Sequence, residues 1–132
     1  MLPVSTSAGG ICLAFPDVCL TPAPSGPPVP IPYLNVGMLT GTQATEPDVR
    51  ADGVPVVVET SVIPSSTGDE PGSAGGVMSG TFAGAVKFKT ASSKVYAGGK
   101  RVVLLGAETS HNNDNAKGQL VSPSQTRVFA GS

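Results

Sequence analysis

The sequence has no tryptophan, one histidine, two cysteines and few charges, at 13% Asp, Glu, Lys and Arg. With aromatics at 5%, the large apolar contacts must come from Val, Ile and Leu, which favours strands over helices. No window of eleven or more residues repeats apolar side chains at i, i+3, i+4 and i+7 without Gly or Pro intervening, so no helix of ordinary length is expected. A net charge of −1 implies no pull towards nucleic acid or an anionic membrane. There is no Gly-x-Ser-x-Gly elbow and no phosphate-cradling Gly-Lys-Ser/Thr loop, so catalysis is poorly supported. The opening MLPVSTSAGGICLAF has no basic residue ahead of its apolar part and no run long enough for a signal or membrane anchor; it predicts a protein made and assembled in the cytoplasm. Cys12 and Cys19 flank a stiff Phe15-Pro16-Asp17 segment. A disulfide needs their Cα atoms within roughly 7 Å, so reduced thiols are expected.

Glycine and proline are abundant instead, with Gly 17 and Pro 13 among 132 residues. Low charge combined with many β-branched residues reads as a turn-rich β protein rather than a disordered one, and the length as a single domain, 1–132. Prolines concentrate in ICLAFPDVCLTPAPSGPPVPIPYLNV, residues 11–36. Each fixes φ and removes a donor, so neither a helix nor a central strand is expected there. Apolar residues from Ile11 to Val36 alternate with the prolines, which predicts an ordered, extended segment packed against the body with Phe15 as buried anchor. Met1–Gly10 reads as a flexible lead-in. Charge is uneven: Met1–Val86 carries Arg50 against seven acidic residues, and Lys87–Ser132 seven basic residues against Glu108 and Asp114. This predicts one acidic and one basic flank.

Two Gly-containing pairs sit between β-type arms, Asp52-Gly53 in DVRADGVPVVVET and Gly98-Gly99 in KVYAGGKRVVLL, and both are hairpin signals. Val49–Gly53 superposes on Val95–Gly99 at an offset of 46, and Arg127–Gly131 repeats Lys94–Gly98 at an offset of 33. Three copies of one short strand, the third cut off, suggest a pseudo-threefold set of hairpins. The expected fold is all-β: a small cone or prism of short antiparallel strands with the Pro-rich segment across it. In Val77–Lys89, period two puts Val86 and Phe88 opposite Lys87 and Lys89.

Candidate chemistry is sparse. Asp69-Glu70 is an adjacent carboxylate pair that a turn after Gly68 explains. A Cys19–His111 pair would be the basis of a small hydrolase, but nothing marks an oxyanion site. Cys12, Cys19 and His111 offer three metal ligands, with Asp17, Asp114 or water as a fourth. The preferred reading is structural instead, with Cys19 a small buried hydrophobe and His111-Asn112 a turn held by side-chain hydrogen bonds.

The runs CLAFPDVCLTPAP and PVPIPYLNVGM, followed by SSTGDEPGSAGGVMSG, SSKVYAGGKRVV with TSHNN, and LVSPSQTRVF, resemble the PAAR-like domain family, spike-tip proteins of type VI secretion and related contractile injection machines. The resemblance covers nearly the whole chain. Its motif positions here are Phe15, Pro16, Asp17, Cys19, Pro30, Pro32, Gly68, Asp69, His111, Asn112, Ser122, Pro123 and Ser124. It implies a non-enzymatic tip, one monomer per trimer on a valine-glycine repeat (VgrG) type spike, assembled in the bacterial cytoplasm, then delivered outside or into a target cell, and puncturing membranes without spanning them. The alternative it implies is an adaptor that loads a separate toxin. The family proper holds a tip zinc through histidines and a cysteine, a pattern from which this sequence departs; no cofactor or one structural zinc is expected. The shared strings also suit Phe15–Cys19 packed beside the loop of His111-Asn112, which predicts Asp17 or Cys19 near His111.

Overall fold

The structure, a computed structural model, describes residues 1–131. Its strands, in chain order, are β1 (Leu2–Pro3), β2 (Ile11–Thr21), β3 (Val29–Met38), β4 (Glu46–Ala51), β5 (Val54–Val56), β6 (Val62–Ile63), β7 (Gly75–Gly76), β8 (Val86–Phe88), β9 (Tyr96–Ala97), β10 (Lys100–Arg101), β11 (Glu108–His111), β12 (Ala116–Ser122) and β13 (Phe129–Ala130). The helical content among the described residues is a single 3-10 turn at Leu39–Gly41.

The hairpins stand where the turn residues predict them. Asp52 and Gly53 have φ of 54° and 80°, and Gly98 and Gly99 of 60° and 82°, the positive pairs that a two-residue turn with the right twist requires. Ala51 then faces Val54 in β4–β5, and Ala97 faces Lys100 in β9–β10. The third copy is completed from the other end of the chain, where β13 pairs with β1 and Ala130 faces Leu2 in the same register. Met1–Gly10, expected as a flexible lead-in, is therefore the second arm of the third hairpin.

The arms then close into a ring. Val56 bridges Thr6, Val102 bridges Val58, and Val4 bridges Leu104. At the residues between, the N–H of Val57 donates to Ser5, that of Ser5 to Val103, and that of Val103 to Val57, each at 2.9 Å. Three equivalent positions thus satisfy one another's backbone in a cycle, and the pseudo-threefold arrangement is complete. Period-two alternation sends Val56, Val58, Val102, Leu104 and Val4 into one core with Ala51, Ala97 and Ala130, one alanine from each repeat. Val57 and Val103 point into a second core with Cys12, Leu39, Ile63, Val86, Phe88 and Leu120. Each fully buried Val or Leu in these clusters contributes about 1.5–3 kcal/mol.

The proline-rich segment departs from expectation. It forms a long hairpin, Ile11 opposite Met38 through Thr21 opposite Val29, and β2 also pairs with β12, so it is a central strand of the order β3-β2-β12-β11-β8-β6. The reason is placement. Pro16 falls in the register shift between Ala14 and Asp17, where a bulge leaves a residue out of the ladder, and Pro30 and Pro32 lie on β3, the edge, where a missing donor is tolerated. The bulge also turns Phe15 outward, 64% exposed, so Phe15 is not the buried anchor. Cys12, Ala14, Asp17 and Cys19 face inward instead, while Val29, Ile31 and Leu34 of β3 are exposed.

Candidate functional site

Beyond the bulge, the inward face of β2 carries Asp17 and Cys19, both fully buried. Asp69 meets them from the loop after Gly68. There φ is +115°, and a Cβ would lie 1.9 Å from the Leu34 carbonyl oxygen, so only glycine lets this loop pass close enough beneath β3. Gly72 is equally constrained, since a Cβ there would meet Cys19 Cβ at 2.3 Å. The third contributor is the β11–β12 turn, where Asn112, Asn113 and Asp114 all have positive φ, a conformation that Asn and Asp tolerate.

Amide side chains line the carboxyls. Asn115 Nδ2 donates to Asp17 Oδ1 at 2.5 Å and to the Val18 carbonyl at 3.0 Å. Asn112 Nδ2 donates to the Thr81 carbonyl at 2.7 Å, lies 3.3 Å from Asp17 Oδ1 and 3.6 Å from Cys19 Sγ, and its oxygen accepts from Gly84 N–H at 2.9 Å. Asp69 Oδ1 accepts from Ala83 N–H at 2.8 Å, and Oδ2 from Asn35 Nδ2 at 3.3 Å. Cys19 Sγ is 3.6 Å from Asp17 Oδ1 and 3.8 Å from Asp69 Oδ2. Asp17 Oδ2, also buried, has no donor.

Burial would raise the Asp17 pKa, but hydrogen bonds from Asp69, Asn115, Asn112 and Cys19 hold it below the ordinary value. Burial and the facing Asp17 push Asp69 up to about 6 against the pull of Ala83 N–H. Below about pH 6 the pair therefore shares a proton that resides on Asp69. Burial, reinforced by both carboxylates, pushes the Cys19 thiol up to about 12, so it is no ready nucleophile.

His111 sits at the far side of Asn35. Because Asn35 Nδ2 donates to Ser66 Oγ and Asp69, its oxygen must accept from His111 Nδ1–H, at 2.7 Å. Nε2 then accepts from Thr109 Oγ at 2.8 Å. The imidazole is neutral, and burial pushes its pKa down to about 4, partly opposed by the charge of Asp17. Both ring nitrogens are occupied, leaving none for a base or a metal ligand.

The two segments do meet, since Asn112 touches both Asp17 and Cys19, but His111 itself bonds Asn35 and Thr109 rather than either of them. The candidates Cys12, Cys19 and His111 nevertheless do not converge. Cys12 belongs to the second hydrophobic core, where burial alone pushes its thiol up to about 12. Asp114 is exposed and paired with Lys89 at 3.2 Å. The histidine-and-cysteine set implied by the resemblance is therefore not assembled. Among the described residues, the one group of three ligand residues whose donor atoms all lie within 4.8 Å of one another is Asp17, Cys19 and Asp69. Asp69, Asn35 and Asn115 were not legible as partners in the sequence; the nearest signal was the Gly68 that positions Asp69. Of the other motif positions, Ser124 Oγ holds the ring segment through the Thr6 and Gly9 carbonyls, while Pro30, Pro32 and Pro123 are exposed and Ser122 half-buried.

A model of the toxin PAAR-like domain family matches residues 10–118. The DNase toxin Tse7 of Pseudomonas aeruginosa is 38% identical over 112 residues, 80% of this chain and 29% of that protein, so the chain spans under a third of this relative's length. No solved structure matches the chain.

Proposed function

The chain belongs to the toxin PAAR-like domain family, and on that premise we propose that it is a non-enzymatic tip, seated as one monomer on the trimeric end of a VgrG-type spike in a contractile injection machine. The observation that carries this reading is the cyclic ring of three hairpins closed through Ser5, Val57 and Val103. A trimeric β-spike ends in three equivalent sets of strand edges, which one chain with three equivalent hairpins can cover one by one. Two of the three positions related by the pseudo-threefold carry exposed aromatic side chains suited to a docking face, Tyr96 at 58% and Phe129 at 44%, and the third carries the exposed Arg50. The engaged nitrogens of His111 and the protonated Cys19 thiol favour a non-enzymatic role over a Cys–His hydrolase.

A second reading, an adaptor that brings a toxin to the spike, is favoured by the name of the DNase relative. The activity in that name is not carried to this chain by a match to 29% of that protein. No helix of the described residues is long and apolar enough to cross a membrane; in our reading the protein is assembled on the spike in the bacterial cytoplasm and leaves at its tip. Native mass spectrometry of the protein co-expressed with the cognate spike tests this. One copy per spike trimer, lost in Tyr96→Asp/Phe129→Asp with an unchanged Tm, is expected. A stable homotrimer that ignores the spike would refute it, and a nuclease bound alongside the spike would favour the adaptor.

A further inference from the structure

We propose that Asp17, Cys19 and Asp69 bind one zinc ion through two carboxylates and a thiolate. The proposal stands on geometry and is independent of the spike reading. Zinc holds thiolate at about 2.3 Å and carboxylate oxygen at about 2.0–2.2 Å, which in a tetrahedral arrangement sets sulfur and oxygen about 3.5 Å apart. Cys19 Sγ lies 3.6 Å from Asp17 Oδ1 and 3.8 Å from Asp69 Oδ2, and the three donors lie within 4.8 Å of one another, so a small closure of the two carboxyls onto the thiol would seat one ion.

Two further observations point to a ligand rather than to a chance cluster. Asp17 Oδ2 is fully buried and no amide, hydroxyl or backbone N–H reaches it, so unless the Asp69 carboxyl lends it a proton it is left unpartnered, which is costly for a buried carboxylate oxygen. Nor does any basic side chain compensate the two carboxyls: the ion pairs among the described residues are Lys89–Asp114, Arg101–Glu59 and Arg127–Asp52. A divalent cation supplies the missing charge. The thiolate selects a soft or borderline ion over magnesium or calcium.

On binding, the Cys19 S–H bond breaks, its electron pair forms the sulfur–metal bond, and the proton leaves to solvent, together with any proton held by the carboxyl pair. Asn115 and Asn112 donate to Asp17, and Asn35 to Asp69, so amides already orient both carboxylates as outer partners of a metal do. His111 reaches the site only through Asn35. The ion would tie β2 to Asp69 in the loop after Gly68, a segment that already pairs with β2 farther along, Cys19 opposite Gly76 and Leu20 opposite Gly75.

The test uses untagged, metal-stripped protein titrated with cobalt(II), whose spectrum reports thiolate ligation. One cobalt per chain is expected, with a thiolate-to-cobalt charge-transfer band that one equivalent of zinc displaces. The band should vanish in Cys19→Ser, and affinity should fall at least ~10-fold in Asp17→Asn and Asp69→Asn, the scale on which even outer partners act. Cys12→Ser and His111→Gln should retain it. Folded parent protein that binds no stoichiometric cobalt overturns the proposal without recourse to any variant, as does a band that follows Cys12 or His111 instead of Cys19.

Discussion

Acidification in the presence of a chelator separates two buried groups that titrate in opposite directions. His111 has its pKa pushed from 6.5 down to about 4 by burial. Between those values the unfolded chain takes up a proton that the folded chain refuses, so stability falls as pH falls. Linkage gives a loss of about 2 kcal/mol between about pH 7.5 and about pH 5, approaching about 3 kcal/mol near pH 4. Asp69 has its pKa pushed from 3.8 up to about 6 by burial and by Asp17. There the folded chain takes up the proton first, and stability rises as pH falls through 6, by about 1.4 kcal/mol at about pH 5. Asp17 is held below its ordinary value of 3.8 and weakens the fold only in stronger acid. The parent should therefore lose only about 0.6 kcal/mol across this window, because the two effects nearly cancel. His111→Gln, which can still bond Asn35, should become more stable at about pH 5 than at about pH 7.5, and Asp69→Asn should lose about 2 kcal/mol. Urea unfolding followed by circular dichroism measures all three. Parallel pH profiles for parent and both variants would refute the assignment of buried, oppositely shifted groups.

Phe15→Ala should change unfolding free energy by no more than about 0.5 kcal/mol, as at other surface sites, whereas Leu39→Ala, fully buried in the second core, should cost about 2–5 kcal/mol; denaturant midpoints compare them directly, and a larger loss at Phe15 would contradict its outward placement. A circular permutant that joins the C-terminus to Met1 by a short Gly-Ser linker and opens between Gly98 and Gly99 should fold with a native near-ultraviolet spectrum, because it moves the missing turn from one equivalent hairpin to another. One opened between Val57 and Val58 cuts the ring itself and should not fold; equal behaviour of the two would deny the threefold equivalence.

The parts of this fold that were legible in the sequence are those written by backbone chemistry within a few residues. Asp52-Gly53 and Gly98-Gly99 announce their turns because positive φ at both positions excludes most side chains, and the alternation around Val86 and Phe88 announces its buried face. The third hairpin was half legible: Arg127–Gly131 matched the other two, but its partner arm, Leu2–Pro3, lies at the opposite end of the chain and carries no turn signal to announce the pairing. Pro16 misled for a related reason. A proline forbids a regular central ladder, yet a bulge absorbs it, and bulges are specified by the neighbouring strands rather than by the proline's own surroundings. The buried polar cluster was the least legible feature, since Asp17, Asp69 and Asn115 come from three distant segments and the space that admits them is made by what is missing at Gly68 and Gly72. The Asp69-Glu70 pair shows how close the signal came. Adjacent carboxylates read as one turn feature, but Glu70 stays at the surface bonding Gly68 N–H at 2.7 Å, while Asp69 turns inward beneath β3. The threefold ring and this cluster thus arise from opposite sequence logics, repetition in the one and convergence of unlike segments in the other.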